Sequence, residues 1–206
     1  MSPQQPLILA SSSTYRQGLM QKLGLKFDSI APDIDETPEN DEGPAALVSR
    51  LAKQKALAVA EKHPNALIIA SDQVACLNDS ILTKPYTVKN AHAQLARCSG
   101  KTVKFYTSLA VYNGLAETMD IIVEPYIVGF KTLTYEQIAF YIEQEKPLDC
   151  AGSFKCEGLG IALFSSLDGK DFNTLIGLPL IELTRLLAKN GIDVLKYAAT
   201  NPKDAQ

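Results

Sequence analysis

From residue 7 to residue 97 the chain alternates short apolar runs with stretches that repeat at the helical period, and few architectures other than an α/β sheet accept that alternation. The expected elements are strand 7–10, helix 14–23, strand 26–31, helix 44–62, strand 66–71 and helix 88–97. Residues 103–133 then alternate apolar with polar and break at Asn113-Gly114, which predicts a long antiparallel hairpin and therefore a mixed sheet. Helix 134–145, a glycine-bearing loop (AGSFKCEGLG), strand 160–166, a DGK turn and helix 179–189 complete the expected order. Residues 31–44, APDIDETPENDEGP, are too rich in proline and acid for regular structure and read as a loop, with Pro44 suited to a helix start. With 46% hydrophobic residues among 206, the chain can bury the core of one domain, or of two lobes around a cleft. Residues 196–206 read as a flexible tail.

The formal net charge of −3 argues against a broad nucleic-acid footprint, which needs a clustered basic surface, but leaves room for a small anion held by a few local cations. MSPQQPLILASSS lacks the basic and long apolar regions of a signal peptide, and no run approaches the roughly twenty apolar residues of a membrane span, so a cytoplasmic protein is expected. Cys76, Cys98, Cys150 and Cys156 form no C-x-x-C pair and have only His63 and His92 as imidazole partners, which points to buried, reduced thiols.

Some residues fit the fold less easily. The first strand runs into Ser11, Ser12 and Ser13 with Arg16 one turn into the next helix. Hydroxyls there serve either as helix caps or, with the free N–H groups and the guanidinium, as a phosphate site. On helix 44–62, Leu47, Val48, Leu51, Ala52, Ala58 and Val59 share one face, and Lys55 falls in the middle of it. Its ammonium either snorkels to water or reaches an anion. The run ALIIASDQV is apolar until Asp72, as where a buried strand opens onto the ligand-binding carboxyl edge of an α/β sheet; the alternative, a turn cap, is made less natural by Gln73 and the return to apolar sequence after it. Lys84 precedes a proline and is pushed toward an extended conformation. Glu36, within IDET, reads singly as a solvated acid. Taken together, Ser11, Ser13, Arg16, Lys55 and Lys84 can neutralise phosphates while Glu36 and Asp72 offer oxygen ligands to a hard divalent cation, the components of a metal-assisted phosphate-ester reaction.

LASSSTYR, IDE, RLAKQKA, SDQV, TKP, SGKTVKFYT, AGSFKCEG and IGLPL, in that order over about 190 residues, resemble the motifs of the Maf-type nucleoside triphosphate pyrophosphatases. The resemblance implies a mixed, twisted sheet flanked by helices around a central cleft, similar to the inosine triphosphatase fold. It also implies homodimerisation and cleavage of a nucleotide between its α and β phosphates. Thr14 departs from the proline the family often has there, which leaves a less preorganised helix start. In the branch acting on dTTP and UTP, the positions matching Tyr15, Gln73 and Glu157 typically carry Arg, Thr and Gln; here they resemble the branch acting on 7-methyl-GTP. A 7-methylated guanine is cationic, so Tyr15 can offer a π face and Glu157 can accept from N1–H and N2–H₂.

The mechanism so implied has Mg²⁺ or Mn²⁺ held by Asp72 with help from Glu36, the charge of the triphosphate offset by Arg16, Lys55 and Lys84, and water attacking the α-phosphorus with Asp72 as proton acceptor. Loss of a metal ligand alone would look the same on mutation of Asp72. A nucleotide-binding regulator without turnover would use the same anion pocket but gains nothing from acids beside phosphate. A purely structural role leaves Lys55 on its apolar face unexplained.

Overall fold

The computed structural model describes residues 5–78 and 80–200, the side chains of 198–200 excepted. The chain divides into two compact units. One takes in the chain up to Asp72, Thr107–Glu124 and the chain from Gly177; the other takes in Gln73–Tyr106 and Pro125–Ile176.

In the first unit, β1 (Leu7–Ala10) and β3 (Leu67–Ala70) are buried at every residue, as parallel strands covered on both faces must be. β1 lies parallel to β2 (Asp28–Ile30) on one side and to β3 on the other, with Leu9 opposite Ile69. β1 and β3 therefore finish at the same edge, and the segments Ser11–Ser13 and Ser71–Asp72 leave the sheet together. That edge is where open α/β sheets bind ligands. Helix α1 (Thr14–Lys22) is capped by Ser13, whose hydroxyl accepts from the Arg16 N–H. Helix α2 (Pro44–Ala60) starts with proline at its first turn and packs Ala52, Ala56 and Val59 into one core with Ile8, Ile68 and Ala110.

The second unit has its own core, in which Phe105, Phe130, Phe154 and Phe164 meet edge to face. It contains β4 (Gln73–Leu77), antiparallel to β5 (Ser80–Leu82), together with α3 (Val88–Cys98) and α4 (Tyr135–Glu145). Thr134 and Gln137 close a capping box at the start of α4. The long hairpin strands β6 (Thr102–Asn113) and β7 (Thr118–Phe130) contribute to both units in sequence. With β8 (Phe164–Asp168), eight strands make one mixed sheet in the order β2-β1-β3-β6-β4-β5, with β7 pairing β6 and β8. At the hairpin's expected break only glycine fits position 114, because a Cβ there would come within 1.9 Å of the Pro64 carbonyl oxygen.

One expectation needs correction, and other elements add to those expected. Residues 160–166 are not one strand: Leu159–Leu163 winds as a 3₁₀ turn and the strand begins at Phe164. The pairing of β4 with β5 and the short helix α5 (Phe172–Ile176) were not expected. After α6 (Leu180–Lys189), helix α7 (Val194–Thr200) takes up the start of the expected tail, and residues 201–206 lie outside the described residues. Cys76, Cys98 and Cys156 are buried, Cys150 is half-buried, and none of the four is in a disulfide. Burial pushes the Cys98 thiol up to about 11. No helix among the described residues is long and apolar enough to cross a membrane.

Candidate active site

Lys55 resolves the anomaly on the apolar face of α2. It is 6% exposed, so its ammonium does not snorkel to water. Its Nζ donates to Oδ1 of Asp72 at 2.5 Å and lies 2.7 Å from Oε1 of Glu36. The pairing unites a helix, a strand end and a loop. The arm to Asp72 is buried, whereas the Glu36 side chain is 59% exposed, so water screens that arm more strongly.

The main chain at Asp72 is fixed by Ser108, a fully buried residue of β6. The Ser108 hydroxyl accepts from the Asp72 N–H at 3.0 Å and donates to the Val48 carbonyl of α2 at 2.7 Å. One hydroxyl thus ties the strand end that carries Asp72 to the helix that carries Lys55. Ser108→Ala should destabilise the protein by about 1–3 kcal/mol, the range for a buried polar group left unpaired, and urea unfolding measures it. Its signal in the sequence, a serine within an alternating strand, is too common to stand out.

The loop bearing Glu36 is also held. Arg50 donates through Nε and Nη2 to the two carboxylate oxygens of Glu42, both at 2.7 Å, and through Nη2 to the Thr37 carbonyl at 3.0 Å. A bidentate arginine of this kind fixes orientation as well as charge. The Arg50 hydrogen bond holds the Glu42 carboxyl below its usual range, and hydrogen bonds from Thr37 do the same for Asp35. Arg50 lies within RLAKQKA, yet its spacing from Glu42 gave no hint that the partner would be in the loop.

At the start of α1 the capping reading is the one the hydrogen bonds express. Ser13 caps the helix, and the Ser11 hydroxyl accepts from the Ser13 N–H at 3.1 Å, so both hydroxyls shape the turn from which the helix N-terminus emerges. Arg16 turns its Nε to the Gly177 carbonyl at 2.9 Å. Burial lowers the Arg16 guanidinium from its usual value, against the upward pull of Asp72 and Glu36. It remains a cation at any physiological pH. Tyr15, half-buried, is its neighbour on α1.

Gln73, Lys84 and Glu157 belong to the second unit. The Gln73 carboxamide donates to the carbonyls of Thr174 at 2.8 Å and Leu175 at 3.1 Å. Lys84 is exposed in the segment between β5 and α3. Glu157 is exposed in a turn, where its Oε2 accepts from the Cys156 thiol at 3.4 Å. Burial first, and then the Glu157 charge, push that thiol above its ordinary value.

Among the described residues no group of three or more His, Cys, Asp or Glu is arranged to hold a metal. Asp72 and Glu36 nevertheless converge on one ammonium, so two carboxylates already bracket a single cationic centre. That donor set suits a hard divalent ion such as Mg²⁺, which binds through one or two carboxylates and fills its other positions with water and substrate phosphates.

The geometry fits the order of motifs along the chain, and comparison with known proteins agrees. The 7-methyl-GTP pyrophosphatase of Colwellia psychrerythraea (strain 34H) is 52% identical over 189 residues, 92% of this chain and 94% of that protein. The protein of the same name from Nitrosococcus oceani is 54% identical over 195 residues, 94% of this chain and 98% of its own length. That from Pseudoalteromonas translucida (strain TAC 125) is 51% identical over 197 residues, 96% and 98% of the two chains. A solved structure of the Staphylococcus aureus Ham1 protein aligns at a TM-score of 0.42 and 14% identity over 74% of this chain and 88% of that one. The family model described as Maf-like protein matches residues 6–190, from the start of β1 past the end of α6, and the chain therefore belongs to the Maf family.

Proposed function

We propose that this protein hydrolyses 7-methyl-GTP to 7-methyl-GMP and pyrophosphate. The observation that carries the reaction is the buried Lys55 ammonium bracketed by Asp72 and Glu36 beyond the carboxyl end of β3. A protein that only binds an anion has no use for paired acids there. Mg²⁺ or Mn²⁺ bound by Asp72 and Glu36 would supply Lewis-acid neutralisation of the triphosphate. Arg16 and Lys84 bind phosphate oxygens, the N-terminus of α1 behind Ser11 and Ser13 adds main-chain donors, and Lys55 offsets charge while orienting Asp72. Asp72 takes the proton from water as the water oxygen bonds to the α-phosphorus. The bond from that phosphorus to the bridging oxygen breaks, and pyrophosphate leaves with the electron pair. The free nucleotide substrate makes the cytoplasm the proposed location, and a homodimer the proposed assembly.

The base assignment rests on Tyr15, Gln73 and Glu157 and is supported by the names of the relatives at 51–54% identity. An ionised Glu157 accepts from both N1–H and N2–H₂ of guanine, whereas a glutamine would turn an NH₂ toward one of those donors. Glu157→Gln should therefore reduce the preference for 7-methyl-GTP by about 1–3 kcal/mol while sparing the chemistry. Tyr15→Ala should lower use of 7-methyl-GTP more than use of GTP, because only the methylated ring is cationic. The test is pyrophosphate release with Mg²⁺ or Mn²⁺, read as kcat/KM for 7-methyl-GTP, GTP, dTTP and UTP in the wild type and both variants. A wild-type preference for dTTP or UTP transfers the protein to the other branch; binding without pyrophosphate release makes it a regulator.

A further inference from the structure

Gly177 lies in IGLPL, just before α6, with φ at +125°, a conformation that side chains other than glycine rarely adopt. Its carbonyl oxygen accepts two hydrogen bonds: from Arg16 Nε at 2.9 Å, and from the hydroxyl of Ser71 at 2.8 Å. Ser71 is fully buried and immediately precedes Asp72. A carbonyl has two lone pairs, and here both have a partner. One main-chain oxygen thus ties the guanidinium of Arg16 to the residue next to the Asp72 carboxylate.

A guanidinium has five N–H donors in a rigid plane, so fixing Nε fixes the direction of both Nη groups. We propose that Gly177 and Ser71 are positioning residues that orient Arg16 toward the triphosphate in register with Asp72. Gly177 supplies the acceptor through a backbone turn that glycine permits, and the Ser71 hydroxyl keeps that acceptor in place. A Cβ at 177 would meet Arg16 Nε at 3.5 Å, ordinary contact, so alanine there acts by turning the carbonyl rather than by colliding with the guanidinium. The proposal rests on Arg16 binding phosphate, as assigned above.

The test is a double-mutant cycle at steady state, with incubations long enough to measure slow turnover: Ser71→Ala and Gly177→Ala, each alone and each combined with Arg16→Ala. Misplacing a substrate-positioning group should lower kcat on the order of 10- to 100-fold in each single variant, with KM changed less. On the Arg16→Ala background the same substitutions should change kcat by less than about twofold, since no guanidinium is left to orient. The ¹H–¹⁵N signal of the Arg16 Nε–H should exchange slowly in the wild type, where the Gly177 carbonyl holds it, and fast in both single variants. Should Gly177→Ala fail to fold, Ser71→Ala decides alone. Losses that multiply with Arg16→Ala, or folded single variants with wild-type kcat, overturn the positioning role. Full activity in Arg16→Ala would instead overturn the phosphate-binding assignment, and the Nε–H signal still reports whether the carbonyl holds the guanidinium.

Discussion

Asp72→Asn should give a folded protein that turns over 7-methyl-GTP slower by on the order of 10²–10⁴, the range for removing a general base. Asparagine has the shape of aspartate and keeps an oxygen toward Lys55, but it takes no proton and brings no charge to a divalent cation. The structural penalty is smaller than the burial of Asp72 suggests. Removing one member of a buried pair costs about 3–5 kcal/mol when the survivor is left without compensation, but Lys55 retains Glu36. The expected loss is therefore about 1–3 kcal/mol, that of a weakened charge-assisted hydrogen bond. Pyrophosphate release and urea unfolding on the same preparation test both halves. Normal release by the folded variant removes Asp72 from the chemistry.

Lys55→Met is expected to be costly on both counts. It preserves the bulk of the stem in the core but leaves Asp72, 7% exposed, facing Glu36 with no cation between them. Stability should fall by about 3–5 kcal/mol, because the abandoned charge is the buried one. Turnover should fall at least on the order of a hundredfold, since a positioned cation is lost from the proposed phosphate site. Adding Mg²⁺ should raise the Tm of Lys55→Met more than that of the wild type, because a divalent ion restores the missing positive charge and stabilises by linkage. An unchanged Tm difference with and without Mg²⁺ would show that the two carboxylates do not share a cation.

Much of the first unit was legible because its signals are local. Burial at all four residues of β1 and of β3 follows from their unbroken apolar runs, and Pro44 marks the start of α2. The helical period put Lys55 on the buried face, which is why it stood out, but its partners lie 17 and 19 positions away, one at a strand end and one in an irregular loop, and periodicity does not reach that far. In the second unit, β4 is not legible because QVACL follows a candidate site and is too short to show a period; Asn78, which adopts φ +54°, marks the turn after it. Residues 159–163 mislead in the opposite sense, because LGIAL has the apolar content of a strand although the chain winds there, so tightly that a Cβ on Gly160 would fall 2.2 Å from the Lys155 carbonyl oxygen. The acceptor at Gly177 had no signature at all, since every residue has a carbonyl and only the fold decides which one meets an arginine.

Asp72 and Gln73 are joined by one peptide bond but have separate supports: the Asp72 main chain rests on Ser108, while the Gln73 side chain hangs on the carbonyls of residues 174 and 175. Inheritance can act on the two positions independently. A lineage that exchanges the residue at 73 changes how that side chain meets residues 174 and 175 and leaves the Ser108 anchor of the acid untouched. With the roles proposed above, base choice at position 73 can change while the acid proposed to carry the phosphate chemistry keeps its own support.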